Sequence, residues 1–254
     1  MPEALDLSAA GVRIYGGQFF HHDYLWFSSF EVSKVTRTAP IVHNYALSYA
    51  TSRYEYAIYY GSRPSYDADL RAMPVYTTPA RPGTSHRIGW TRLTQNAIDT
   101  RTQRTEGPRG INTPSIGWRI VLNPCWETGH EDQGFHFYAF VRNGYSLPTV
   151  IRLGKKGCPV RLRWAALAAS RAMHVAGPVQ PTHALNPLDV QGQILSYEPI
   201  SIPPHLVFRQ AEIADDWFVF EGKHCIHVPR RFTPAGPLPL SPGNTGQRRR
   251  RSRR

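Results

Sequence analysis

The sequence predicts an α+β fold with few helices and many short strands. Three observations carry that expectation: one amphipathic segment between Pro40 and Ser52, a succession of short β-prone runs from Gly117 to Val228, and turn residues between those runs. With 254 residues, 41% hydrophobic and 19% charged, the chain has ordinary globular composition and enough length for a sizeable core. No internal repeat is found.

A first strand is expected over Arg13–Phe20, where Gly16 and Gly17 mark a bulge or a site of close approach. A loop rich in His, Asp and aromatics follows, from His21 to Phe27. Pro40–Ser52 is the clearest helix. Proline suits its first turn, and Val42, Tyr45, Ala46, Tyr49 and Ala50 recur at i, i+3, i+4, i+7 and i+8. His43, Asn44 and Ser48 fall off that stripe, and Asn44 and Ser48, four apart, share a face.

Residues 61–115 are rich in Pro, Gly, Thr and Arg and lack periodicity. A structureless loop of that length does not suit a compact domain, so the segment reads as an excursion, a hairpin-like arm. Strands are expected over 117–123, 134–142, 149–153, 158–164, 193–197, 206–213, 217–221 and 225–228, with Asn143-Gly144 as a turn. The expected organisation is a single domain over 1–233, with 61–115 inserted in it. The Pro/Gly-rich, then arginine-rich, tail at 234–254 is expected to be disordered.

The net charge of +12 makes a polyanionic partner the first suspicion, although 26 Arg against 4 Lys also fits an arginine-favouring genome. The distribution of charge decides between these. Residues 133–188 hold seven basic side chains and no acid, residues 61–120 hold nine Arg and four acids, and residues 248–254 are six Arg and one Ser. Codon bias would spread arginine evenly; this clustering favours a polyanion-binding surface. No run reaches the ~20 apolar residues of a membrane helix. The N-terminus lacks a basic region followed by an apolar one, and three cysteines cannot build a disulfide framework. A cytoplasmic, reducing location is the expectation, with no membrane.

The strongest local motif is the loop RLGKKG at 152–157, continuing into CPVRLR at 158–163. Gly154 and Gly157 let the backbone turn tightly and let a phosphate approach; Lys155 and Lys156 supply charge there. Arg152, Arg161 and Arg163 lie on the flanking strands, with 161 and 163 on one face. Such an array suits a phosphodiester backbone, while a plain solvated turn remains the bland alternative. It is not a P-loop, because GxxxxGK[ST] is absent. In the excursion, Arg81, Arg87, Arg92, Arg101, Arg104 and Arg109 are interspersed with Trp90, a composition that grips single-stranded nucleic acid.

Metal and catalytic signals are weak. His21-His22-Asp23 and His224/Cys225/His227 invite a metal, but 224 and 227 point to opposite faces of a strand, and CxxC and HExxH are absent. No metal and no cofactor are expected. No GxSxG and no usefully spaced carboxylate pair occur, so no catalytic residue is assigned.

Several stretches together bring a family into view. EVSKVTRTAPIVHNYALSYA (31–50), and above all its HNYALSYA core, resembles the first helix of the Csc-one subunits of type I-D CRISPR effectors, the type I-D version of the Cas-five family. RLGK (152–155) after an apolar strand and HALNPLD (183–189) are similar to further stretches of that family. The resemblance spans residues 12 to about 228. The sequence after Lys155 and the arginine tail depart from the family pattern.

The resemblance implies a ferredoxin-like, RRM-like domain of the RAMP type with a Gly-rich loop and a thumb emerging from its first half, which residues 61–115 would supply. It implies a non-catalytic subunit that caps the 5′ handle of the crRNA in a Cascade-like ribonucleoprotein of antiviral defence. Such a subunit contacts the backbone and large subunits and lies near the PAM of target DNA. The loop residues would hold the handle, while His43, Asn44 and Ser48 would approach RNA or fix the helix against the loop. The thumb arginines would clamp RNA or meet a neighbour. Two other readings stay open: a crRNA-processing endoribonuclease of the RAMP type, and a generic basic protein that binds any polyanion.

Overall fold

The computed structural model describes residues 4–6, 11–27, 29–32, 35–52, 66–86, 88–95, 115–127, 132–155, 157–167, 171–190, 192–220, 224–227 and 229. In chain order the elements begin with β1 (Ala4–Asp6), β2 (Val12–His21), β3 (Phe30–Val32), β4 (Val35–Arg37), α1 (Asn44–Thr51), α2 (Tyr66–Ala72), β5 (Val75–Thr77) and β6 (Arg81–Pro82). They continue with β7 (Ile88–Gln95), β8 (Ser115–Leu122), β9 (Phe135–Arg142), β10 (Val150–Leu153), β11 (Cys158–Ala166) and β12 (Arg171–Val179). The last are β13 (Gln193–Ile200), β14 (Val207–Phe220) and β15 (His224–Ile226), with a 3-10 turn at Pro187–Asp189. The chain is mostly β, and among the described residues the α-helices are two short ones.

The central sheet runs β10-β11-β2-β9-β5, all neighbours antiparallel, with β6 also pairing β9. Its strands alternate. Phe19 of β2, Phe135, Phe137, Ala139 and Val141 of β9, and Val160 and Leu162 of β11 point to one side, where they join Leu47 of α1 in the main core. The close-approach reading of Gly17 is the correct one: a Cβ there would lie 2.5 Å from the Phe137 ring, and the β2–β9 register runs without a bulge. A second sheet, β1-β12-β14-β13 with β15 on β14, carries the C-terminal part. A third, β3-β4-β8-β7, is built around the β7–β8 hairpin.

The excursion expected over 61–115 is shorter than that. Residues 66–86 belong to the body of the protein: Leu70, Met73, Val75 and Tyr76 are fully buried, and β5 and β6 extend the central sheet. Burying side chains of this size favours folding by ~1.5–3 kcal/mol each, which is why this Pro/Gly/Arg-rich stretch is held. Of the rest of that stretch, β7 pairs β8, while residues 96–114, like the tail at 234–254, lie outside the described residues.

Helix α1 also departs from the expected pattern. His43 is its N-cap, with its Nδ1 accepting from the Tyr45 N–H at 3.1 Å. The fully buried face carries Asn44, Leu47, Ser48 and Thr51, while Ala46, Tyr49 and Ala50 of the expected apolar stripe are only partly covered. Polar groups can face inward because each finds a partner. Asn44 Nδ2 donates to the Tyr76 hydroxyl (3.0 Å) and Ser48 Oγ accepts from the Thr77 N–H (3.0 Å). The Tyr76 hydroxyl donates to both carboxylate oxygens of Asp189, at 2.7 and 2.9 Å, and Asn186 Nδ2 donates to Asn44 Oδ1 at 3.1 Å. HNYALSYA and NPLD, distant in sequence, therefore meet in one buried network.

Candidate nucleic-acid interface

The Gly-rich loop turns between β10 and β11 and is held by the aromatic loop that follows β2. Gly154 and Gly157 have φ of +74° and +62°, the left-handed region that glycine enters without a Cβ penalty. A Cβ on Gly154 would lie 2.7 Å from the Trp26 carbonyl oxygen. The Lys155 N–H donates to that same oxygen at 2.9 Å, and the Lys155 ammonium sits 5.0 Å from the Trp26 ring centre. The other cation on this buried ring is Arg119 of β8, at 3.5 Å. Cys158 Sγ donates to the Asp23 carbonyl at 3.3 Å, pinning the loop's exit to the same segment.

The strand pairing sets the direction of the arginines. Arg161 stands opposite Val150 on β10 and Phe20 on β2, and Arg163 opposite Gln18. Along β11, Pro159, Arg161 and Arg163 are exposed while Cys158, Val160 and Leu162 are buried. Arg152, opposite Pro159, joins the same outward face and donates to the Gly157 carbonyl at 2.8 Å. Arg163 is paired with Glu127, an exposed contact of small net worth. Among the described residues no ion pair engages Arg161 or Lys155, so their charge is available to a ligand.

Beside this face a cleft of about 690 Å³ opens over the sheet. It is lined by Gly16, Arg81, His136, Tyr138 and Arg163 from the sheet and by Thr182 and His183 from the C-terminal part. His136, exposed, is held by Asp132. Arg81, expected on the arm, is instead on β6 opposite His136, facing this cleft.

The remaining expected residues divide as follows. His43, Asn44 and Ser48 are interior, at 4%, 0% and 0% exposure, although His43 lines a cleft of about 410 Å³ that Lys155 also lines. Burial pushes the His43 imidazole down to about 3, so it caps the helix as a neutral ring. Trp90 and Arg92 lie on β7. Arg87, Arg101, Arg104, Arg109 and Lys156 lie outside the described residues. Trp26 was missed as a site residue; its signal was the aromatic density of residues 24–27 next to the first strand. The described residues capable of forming a metal cluster are His21, His86 and Cys125, a set that sequence spacing does not single out.

A family model for type I-D CRISPR-associated Cas5/Csc1 proteins matches residues 12–235. The chain belongs to that family. The match runs from the first strand of the central sheet past β15 and includes the Gly-rich loop, the aromatic loop and the buried network. It makes the chain a type I-D CRISPR-associated protein, consistent with a Cascade subunit. No curated protein is detectably similar to it.

Proposed function

We propose that this chain is a non-catalytic subunit of a type I-D surveillance complex that binds and caps the 5′ handle of the crRNA. The observation that carries this reading is the basic β10–β11 hairpin, with exposed Arg152 and Arg161 on its strands and exposed Lys155 in the turn between them. Three exposed cations lie on or beside a turn built on two positive-φ glycines, next to an acid-poor stretch of sequence. Family membership supports the assembly context; the backbone subunit, the large subunit and target DNA near the PAM are the partners proposed from it.

The strand order supports a ferredoxin-like, RAMP-type reading of the central sheet. In chain order its core strands are β2, β5, β9 and β11, and in space they run fourth, first, third, second, with α1 and α2 making the first crossover. The second crossover, between β9 and β11, is the β10 hairpin rather than a helix, which accounts for the low helical content. The β7–β8 pair is proposed as the base of the thumb.

The experiment is a competition assay with the purified chain, or with the assembled complex. Handle RNA displaces a labelled handle at lower concentration than a scrambled RNA of equal length. Equal displacement by scrambled RNA and by DNA would favour a generic polyanion binder instead.

A further inference from the structure

We propose that His21, His86 and Cys125 form a binding site for a zinc-class transition-metal ion, which pins both stems of the β7–β8 hairpin to the central sheet. The three ligand atoms lie within 4.8 Å of one another. His21 closes β2, His86 stands two residues before β7, and Cys125 follows β8 by three residues. An ion here would therefore bridge three chain segments.

The imidazoles are already oriented for a metal. His21 Nδ1 bonds the Asp23 carbonyl at 2.8 Å and His86 Nδ1 bonds the Gln133 carbonyl at 3.3 Å. A carbonyl can only accept, so each Nδ1 carries the proton and each Nε2 is left with its lone pair. Both Nε2 atoms are buried and have no hydrogen-bond partner. Two orphaned imidazole acceptors facing one thiol carry an unmet polar cost that a cation would remove. Imidazoles backed by carbonyls are the usual form of metal-binding histidine.

Burial favours the neutral imidazoles that ligation requires, with His21 pushed down to about 4 and His86 also lowered. Cys125 is 1% exposed, and as a thiol it is pushed up to about 11, again by burial. Ion binding would transfer its proton to solvent and leave a thiolate as the ligand. The Phe135 ring, 4.6 Å from His86 and 5.9 Å from His21 between ring centres, gives the site an apolar wall.

Two imidazoles and one sulfur select zinc-like ions over magnesium or calcium, which take oxygen ligands. With metal–nitrogen and metal–sulfur distances of about 2.0–2.1 and 2.3 Å, a tetrahedral ion needs its ligands ~3.3–3.6 Å apart. The three side chains would close by roughly an ångström, with solvent in the fourth position.

The test uses the untagged full-length chain, with metal content measured after gel filtration and a cobalt(II) titration followed by absorption. Expected are one retained zinc per chain, a tetrahedral cobalt spectrum with a thiolate charge-transfer band, and a lower unfolding temperature after chelation. Cys125→Ser removes the charge-transfer band and His86→Gln lowers the metal content. His22→Gln, at an exposed neighbour, changes neither. The proposal is overturned if wild-type protein binds cobalt without a thiolate band. It is equally overturned if wild-type protein retains no zinc, or if the His86→Gln/Cys125→Ser double variant keeps all of it. The wild-type readouts decide the matter even if a variant fails to fold.

Discussion

The Tyr76 hydroxyl donates to both carboxylate oxygens of Asp189, at 2.7 and 2.9 Å, across 113 residues of sequence. This contact joins β5, and through Asn44 also α1, to the 3-10 turn between β12 and β13 of the second sheet. Burial, with the Asp189 carboxylate next in weight, drives the Tyr76 phenol well above its ordinary range, so it remains a donor at every working pH.

Tyr76→Phe removes that donor and leaves the buried Asp189 one partner short. The expected cost is ~1–3 kcal/mol of stability, read as a lower urea midpoint with an unchanged slope. Because the residue is remote from the basic face, RNA affinity of the folded variant should equal that of wild type.

Gly154→Ala meets two obstacles, a positive φ and a Cβ 2.7 Å from the Trp26 carbonyl oxygen. The strained backbone alone costs ~1–2 kcal/mol, and the clash displaces the loop. Gly157→Ala has a positive φ as well, but its nearest neighbour would be 3.8 Å away. The Gly154 variant should therefore lose more stability and more RNA affinity than the Gly157 variant, measured side by side by thermal unfolding and fluorescence anisotropy.

The buried histidines predict an acid-sensitive fold. Burial holds both His43 and His183 down to about 3, against an ordinary value near 6.5. Below pH 6.5 the unfolded chain takes up protons that the folded chain cannot, so stability is fully present above that pH and falls as the pH is lowered toward 3. The urea midpoint should fall between pH 6.5 and 5.5, above the range where carboxylates protonate. A flat profile there would contradict the buried neutral state.

The proposed role denies the chain a nuclease activity. Of the described residues, His136 in the cleft beside Arg81 and Arg163 is the one best placed to act on RNA, so incubation with a repeat-containing transcript is the check. The expected outcome is intact RNA. A single metal-independent cut, lost in His136→Ala, would assign the endoribonuclease role instead.

How legible this was in the sequence depends on where the polar groups went. β9 and β11 are readable within two residues, because β11 alternates from Cys158 to Arg163 and β9 alternates from Phe135 to Ala139 before Phe140 is buried on the opposite face. The basic face followed from that alternation. Helix α1 was found, but its inward face was misjudged, since Asn44 and Ser48 are satisfied by Tyr76 and Thr77 on a strand that no pattern had announced. β12 is not among the expected strands; small residues, Gly177 at φ +121° and Pro178 interrupt its apolar pattern. β7 and α2 were lost in the Arg/Thr/Pro texture of 61–115. The His21–His86–Cys125 cluster left no local mark, because only the folded chain brings its members together.

The central claim is tested most directly by reversing charge on the exposed face itself. Lys155→Glu with Arg161→Glu touches two exposed side chains that have no ion pair among the described residues, so the fold should survive with a loss of ~0.5–1 kcal/mol from the Lys155–Trp26 contact. Handle-RNA affinity should collapse, and for each single substitution the salt dependence should lose ~0.7 in log–log slope per phosphate contact removed. A double variant that folds normally and binds handle RNA with wild-type affinity at moderate salt would contradict the assignment of this face as the RNA-binding surface.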